Sequence, residues 1–104
     1  MITEPKLKTV HCPDADGGHT MAYWQWGNEC AAHVIICVHG LTRQGRDFDE
    51  LAHALVTQAD VRVLSPDVVG RGESDWLKNP EGYGFAQYIG DMLAMLGQAL
   101  QEAP

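Results

Sequence analysis

The 104-residue sequence is short of positive charge, of serine and of paired cysteines, and each shortage removes a class of function. Seven Lys and Arg stand against fourteen Asp and Glu, a net charge of -7, and no basic residue follows Lys78. Phosphate backbones are held by clustered Lys and Arg, so nucleic acid is not an expected partner. No apolar run approaches the ~20 residues that span a bilayer. The opening MITEPKLKTVHCPD has no apolar stretch of the signal-peptide kind, so a cytoplasmic protein without membrane contact is expected. Cys12, Cys30 and Cys37 are odd in number and lack CxxC spacing, which argues against a disulfide framework.

Serine is scarce as well. A nucleophile elbow, G-x-S-x-G, needs small residues on both sides of a serine on a strained strand-to-helix turn. Ser65 is flanked by Leu64 and Pro66, and Ser74 lies in Gly72-Glu73-Ser74-Asp75-Trp76, so neither fits. The same stretch, VVGRGESDW (68–76), fails as a phosphate loop: G-x-G-x-x-G would need glycine where Asp75 stands, and no Walker-type Gly-Lys-Ser/Thr ending occurs. A small nucleotide-binding domain would bind ATP or NAD, and none is expected to bind.

Metal sites are equally poorly supported, and none is expected. Asp14, Asp16 and Gly18 echo a calcium loop, but Gln25 stands where the bidentate Glu belongs, and a hairpin turn explains the stretch. His33, Cys37 and His39 fall on one face of a strand by period two, without a fourth ligand. Glu50 and His53 are one helical turn apart and read as a solvated pair. No cofactor is expected.

What is present is a regular alternation of elements. Residues 6 to 12 and 19 to 27 predict two strands joined by the turn PDADGG, an antiparallel hairpin. HVIICVHG (33–40) carries an unbroken apolar run, Val34 to Val38, which predicts a parallel strand buried on both faces. Phe48, Leu51, Ala52 and Leu55 predict one face of a helix with Asp47 as its N-cap and Glu50 three residues on. VRVLSPD (61–67) predicts another strand, ending near Pro66. A Gly/Pro loop covers 66 to 84. The last helix, 85 to 100, places Phe85, Ile89, Met92, Leu93, Leu96 and Leu100 on one side. The order, a hairpin followed by β-α-β-α, predicts an α/β fold with a mixed sheet. An all-apolar strand at 34–38 wants a neighbour on each side, which two further strands and two helices cannot supply, so residues 1–104 read as one partial domain. The open edge at 34–38 invites self-association or strand addition by a partner.

His39-Gly40-Leu41-Thr42-Arg43 follows the apolar strand directly, at the carboxyl end of a parallel sheet, where α/β proteins place their sites. Gly40 permits a sharp turn that leaves the amides of Leu41 and Thr42 free to face a developing negative charge. On spacing alone a plain strand-to-helix turn is as good a reading. The loop from Asp67 to Asp75 leaves the other parallel strand at the same rim.

VIICVHGLTRQGRDFDELAHAL followed by VRVLSPDVVGRGESDW resembles the first half of an α/β-hydrolase, from about residue 20 to the end of the sequence. That family has an apolar third strand ending in His-Gly and a fourth ending in Asp-x-x-Gly-x-Gly-x-Ser; here these are His39-Gly40 and Asp67, Gly70, Gly72 and Ser74. The resemblance implies that the second stretch is a structural loop, with Ser74 satisfying backbone groups and Asp67 anchoring the turn. His39 would be structural too. It implies that Leu41 donates a backbone amide to an oxyanion hole beside Gly40, and that Thr42 and Arg43 border a small-molecule substrate pocket. In the family the nucleophile, acid and base come later in the chain, so these 104 residues alone should be inactive. Leu41-Thr42 matches neither the His-Gly-Asn-Pro of haloalkane dehalogenases nor the His-Gly-x-Pro of epoxide hydrolases. By family analogy, carboxylic esters rank first as substrates, ahead of related acyl or carbon–carbon substrates. The competing expectation is an inactive remnant or interaction module.

Overall fold

The computed structural model describes residues 4–39, 44–78 and 80–102. Four strands form one mixed sheet: β1 (Lys6–Cys12), β2 (His19–Gly27), β3 (His33–Ile36) and β4 (Val61–Pro66). A 3-10 turn (Gly45–Phe48) leads into α1 (Asp49–Gln58), and α2 (Phe85–Glu102) follows the long loop after β4. The sheet order is β1-β2-β4-β3, with β1–β2 and β2–β4 antiparallel and β3–β4 parallel. The α/β class and the mixed sheet are therefore as expected, and both hairpin strands fall where alternation put them.

Alternation along β4 splits the core into two layers. Leu64 joins Val10, Cys12, Met21 and Tyr23 of the hairpin under Met95 and Ala99 of α2. Val63 joins Trp26 and Cys37 under Ala52 of α1, with Phe48, Leu55 and Val56 packed beside them. Successive strand residues point to opposite faces, so the two helices lie on opposite sides of the sheet. Arg62, also in β4, is buried, and its Nη1 donates to the Ala99 carbonyl at 3.0 Å. A cation there faces the negative end of α2 and satisfies one of its terminal carbonyls.

Four expectations need correction. First, the strand buried on both faces is β4, between β2 and β3, and not 34–38. β3 stops at Ile36, pairs among the described residues with β4 alone, and leaves Ile36 and Val38 exposed. An apolar run reports the burial a strand is suited to, and among the described residues no second strand lies beside this one. β4 ends at Pro66, as the missing amide donor of proline predicts. Second, Asp47 does not cap α1: it sits inside the 3-10 turn, and the N-cap is Phe48, with no side-chain bond. Third, Leu51 is half exposed while Val56 packs inward, so the buried face of α1 is rotated from the expected one.

The fourth correction concerns α2. The stripe Phe85, Ile89, Leu93 and Leu100 is turned outward, with Phe85 85% and Leu93 64% exposed. The helix meets the sheet instead through Asp91, Met95 and Ala99. Polar bonds fasten that inner face: Gln98 Nε2 donates to the Thr9 carbonyl and the Tyr23 hydroxyl, and Gln87 Nε2 to the Pro13 carbonyl.

Candidate functional site

The loops after β3 and β4 leave the sheet at the same end and are joined there by three side chains. His39, buried at the end of the β3 segment, accepts the Val68 amide on Nε2 at 2.9 Å. An imidazole nitrogen that accepts is unprotonated, which leaves the ring proton of the neutral form on Nδ1. Asp67, 1% exposed, accepts the Gly45 amide on Oδ1 at 2.7 Å and the Glu73 amide on Oδ2 at 2.9 Å. A carboxylate taking two backbone N–H groups is a strong junction, because each bond is charge-assisted and the one to Gly45 is buried. Ser74 completes the corner. Its Oγ accepts the Ala22 amide at 2.8 Å and donates to the Asp67 carbonyl, tying the loop to the middle of β2.

Glycine is required at the tightest point of this corner. Gly72 has φ +51°, and a Cβ there would collide with the Asp67 carboxylate. The backbone must pass this close for the Glu73 amide to reach Oδ2. Gly70 has φ +84° and packs under the Tyr83 ring. Arg71, between them, donates to the Val69 carbonyl at 2.7 Å and lies 5.9 Å from the ring centres of both Tyr83 and Tyr88.

His39, Asp67, Gly70, Gly72 and Ser74 are thus brought together. Gly40, Leu41, Thr42 and Arg43 lie outside the described residues. Val68, Val38 and His39 floor an apolar groove of about 300 Å³, walled by Phe85, Tyr88, Ile89 and Met92 of α2. His33, Cys37 and His39 do not gather into a donor set, since the strand that would have aligned them ends at Ile36. Asp14 is a turn residue, accepting the Asp16 and Gly18 amides at 2.7 and 2.9 Å.

A second polar cluster, which the sequence pattern did not reveal, lies across the hairpin from this corner. His19 Nδ1 is 2.7 Å from Asp14 Oδ2, and His19 Nε2 is 2.8 Å from Asp91 Oδ2. Asp91 also accepts Gln87 Nε2 on Oδ1 at 2.7 Å. Burial alone would pull His19 down, but the two carboxylates more than offset it and hold its pKa above the ordinary histidine value. The hydrogen bond from His19 in turn holds Asp14 below the usual carboxylate range. Cys12 is fully buried beside Asp91, and burial, with that carboxylate next to it, pushes the thiol up to about 12. Such a thiol keeps its proton and is not a nucleophile. Among the described residues Cys12, His19 and Asp91 are the one group of three donors close enough to share a metal ion. One signal was available: Asp91 is the only charged residue between Phe85 and Gln101. A lone carboxylate in an apolar helix needs a partner, but nothing local says that the partner is 72 positions away.

No protein-family model matches the chain. It is 46% identical over 98 residues to a 3-hydroxybutyrate-oligomer hydrolase of Cupriavidus necator, covering 94% of this chain and 33% of that one. Its fold superposes on an α/β hydrolase of Novosphingobium aromaticivorans with a TM-score of 0.73 and 35% identity, over 91% of this chain and 32% of that one. It also superposes on a Rickettsia typhi protein classed as a hydrolase, with a TM-score of 0.82 and 27% identity, over 91% of this chain and 36% of that one. The chain belongs to the α/β-hydrolase superfamily. It spans about a third of the length of each of these relatives. Among the described residues, no helix is long and apolar enough to cross a membrane.

Proposed function

We propose that this chain is the N-terminal portion of a serine hydrolase of carboxylic esters and contributes the oxyanion side of its acyl-transfer site. The observation that carries the reading is the anchoring on either side of residues 40 to 43. His39 is held by the Val68 amide and Gly45 by Asp67, so both flanks are fixed to one corner of the sheet. A donor that stabilises a transition state must be placed before charge develops, and flanks anchored in this way support that placement. In the reaction, a serine outside this chain attacks the ester carbonyl while a histidine takes its proton, and the carbonyl oxygen becomes an oxyanion. The Leu41 amide stabilises that oxygen, with Gly40 giving the turn its room. Collapse expels the alcohol, protonated by the same histidine, and water then releases the acid. Thr42 and Arg43 border the pocket. The similarity to a 3-hydroxybutyrate-oligomer hydrolase supports esters of short hydroxy acids as the substrate class. A cytoplasmic setting fits three unpaired cysteines.

The test uses the full-length protein. It should react with a serine-directed fluorophosphonate and hydrolyse short-chain esters, and Gly40→Val should abolish turnover while leaving the protein folded. A folded protein inert to both reagents overturns the proposal. A second reading rests on the exposed apolar strip along β3 and α2: the 104 residues alone would serve as a module that captures another chain by strand addition. A discrete complex of defined stoichiometry would favour it, and indiscriminate aggregation would speak against it.

A further inference from the structure

The cluster around His19 has no part in the proposed reaction, and its geometry imposes a protonation state. Both ring nitrogens lie within 2.8 Å of carboxylate oxygens, Nδ1 of Asp14 and Nε2 of Asp91. Carboxylates only accept, so both nitrogens must donate, and only the imidazolium carries two N–H groups. The groups come from separate parts of the molecule. Asp14 belongs to the turn between β1 and β2, His19 opens β2, and Asp91 lies one-third of the way along α2. Cys12 of β1 faces the cluster as a protonated thiol, Gln87 of α2 faces it as a neutral donor, and the His11 ring packs across Gly18.

We propose that His19 is a proton-loaded clamp, an imidazolium that fastens the N-terminal half of α2 to the β1–β2 turn and lets it go when the proton leaves. Deprotonation would remove one donor and leave a buried carboxylate of Asp91 or Asp14 facing a lone pair. The helix depends on this clamp more than an ordinary amphipathic helix would. Most of its apolar stripe faces outward, and its inner face rests on Met95 and Ala99, with Met92 and Ala94 beside them, and on polar bonds. The clamp joins α2 to the hairpin through a His19–Asp91 contact that is buried on both sides.

The direction of the pH dependence follows. The folded chain holds the His19 proton more tightly than the unfolded one. The stabilisation is therefore complete below the ordinary histidine value of 6.5 and fades as pH rises through the higher folded value. Asp14, held low, sets the opposite limit: its share is lost as pH falls through its depressed value.

An ion between these groups would require the His19–Asp91 contact at 2.8 Å to open, because two ligands of a tetrahedral zinc lie farther apart than a hydrogen bond. The experiment separates the two. In the full-length protein, the His19 imidazole is titrated by NMR, with His19→Gln identifying its signal. Hydrogen exchange over residues 85–102 is measured at pH 6 and pH 9 and corrected for intrinsic rates. His19 should titrate above the other histidines, and protection of the N-terminal half of α2 should fall roughly tenfold or more between the two pH values. His19→Arg, which stays charged, should flatten the pH dependence and keep the protection, whereas His19→Gln should flatten it at the unprotected level. A His19 that titrates at or below an ordinary histidine overturns the proposal. So does unchanged α2 protection, and so does uptake of one equivalent of zinc that Cys12→Ser abolishes.

Discussion

Two regions of this chain, a few residues apart, are built on opposite plans. At the corner after β4, Asp67, Ser74 and His39 are partnered by backbone groups of this same chain, and the polar interactions close on themselves. Along the outer side of β3 and α2, Ile36, Val38, Phe85, Ile89 and Leu93 stand exposed among the described residues. The corner is held by its own polar bonds, and the apolar strip lies open. A closed polar corner costs the same to break wherever it is found, whereas the worth of an apolar surface depends on what lies against it. Substitutions in the two regions should therefore respond differently to chain length.

The largest effect is expected at Asp67. Asp67→Ala leaves the buried Gly45 amide without its acceptor, at about 1–3 kcal/mol, and the part-buried Glu73 amide at less, or roughly 3 kcal/mol together. The expected result is a loss of that size in denaturant unfolding of the full-length protein, and a comparable loss of transition-state stabilisation through the flank at Gly45. Ester hydrolysis should fall with kcat while KM holds. A loss below 1 kcal/mol would show that the carboxylate bonds are decorative and that the corner is held by its glycines.

Leu93 sharpens the contrast from the other side. Leu93 is 64% exposed in this chain. Leu93→Glu should change the stability of the 104-residue chain by no more than about 0.5 kcal/mol, as for other surface substitutions, and should improve its solubility. In the full-length protein the same change should cost roughly 2 kcal/mol, the worth of a buried leucine turned polar. Equal effects in both lengths would mean that the outward stripe of α2 stays exposed in the longer chain as well.

How much of this was legible in the sequence follows from the range over which each cause acts. Period-two alternation and the PDADGG turn are local, and β1 and β2 come out at the residues they predict. His39 and the Asp67–Ser74 stretch were recognisable because family spacing preserves what long-range packing needs. The face of α2 was misjudged for a physical reason. Periodicity locates the most apolar stripe of a helix, but this helix turns most of that stripe away and lays Met95 and Ala99, with Asp91, against the hairpin. The capping expectation at Asp47 failed for a different one. Asp67 draws the Gly45 amide inward and starts a 3-10 turn two residues before the place where the capping pattern would begin the helix. The Asp14–His19–Asp91 cluster joins positions that no sequence window spans.

Ser74 gives the smallest effect and the cleanest discrimination. A serine next to glycines and an aspartate invites the reading of nucleophile. The geometry opposes it: the hydroxyl is buried, accepts the Ala22 amide and donates to the Asp67 carbonyl, so its proton and one lone pair are already committed. A nucleophile needs a neighbouring base and open access to a carbonyl carbon, and both are replaced here by backbone. Ser74→Ala should therefore lower stability by about 1 kcal/mol, for one net hydrogen bond with little change in volume. Turnover per folded molecule should stay within about twofold, since no transition-state contact is lost. Loss of turnover with unchanged melting would move Ser74 from the frame of the corner into the chemistry. It would also undo the claim that this polar region is closed upon itself.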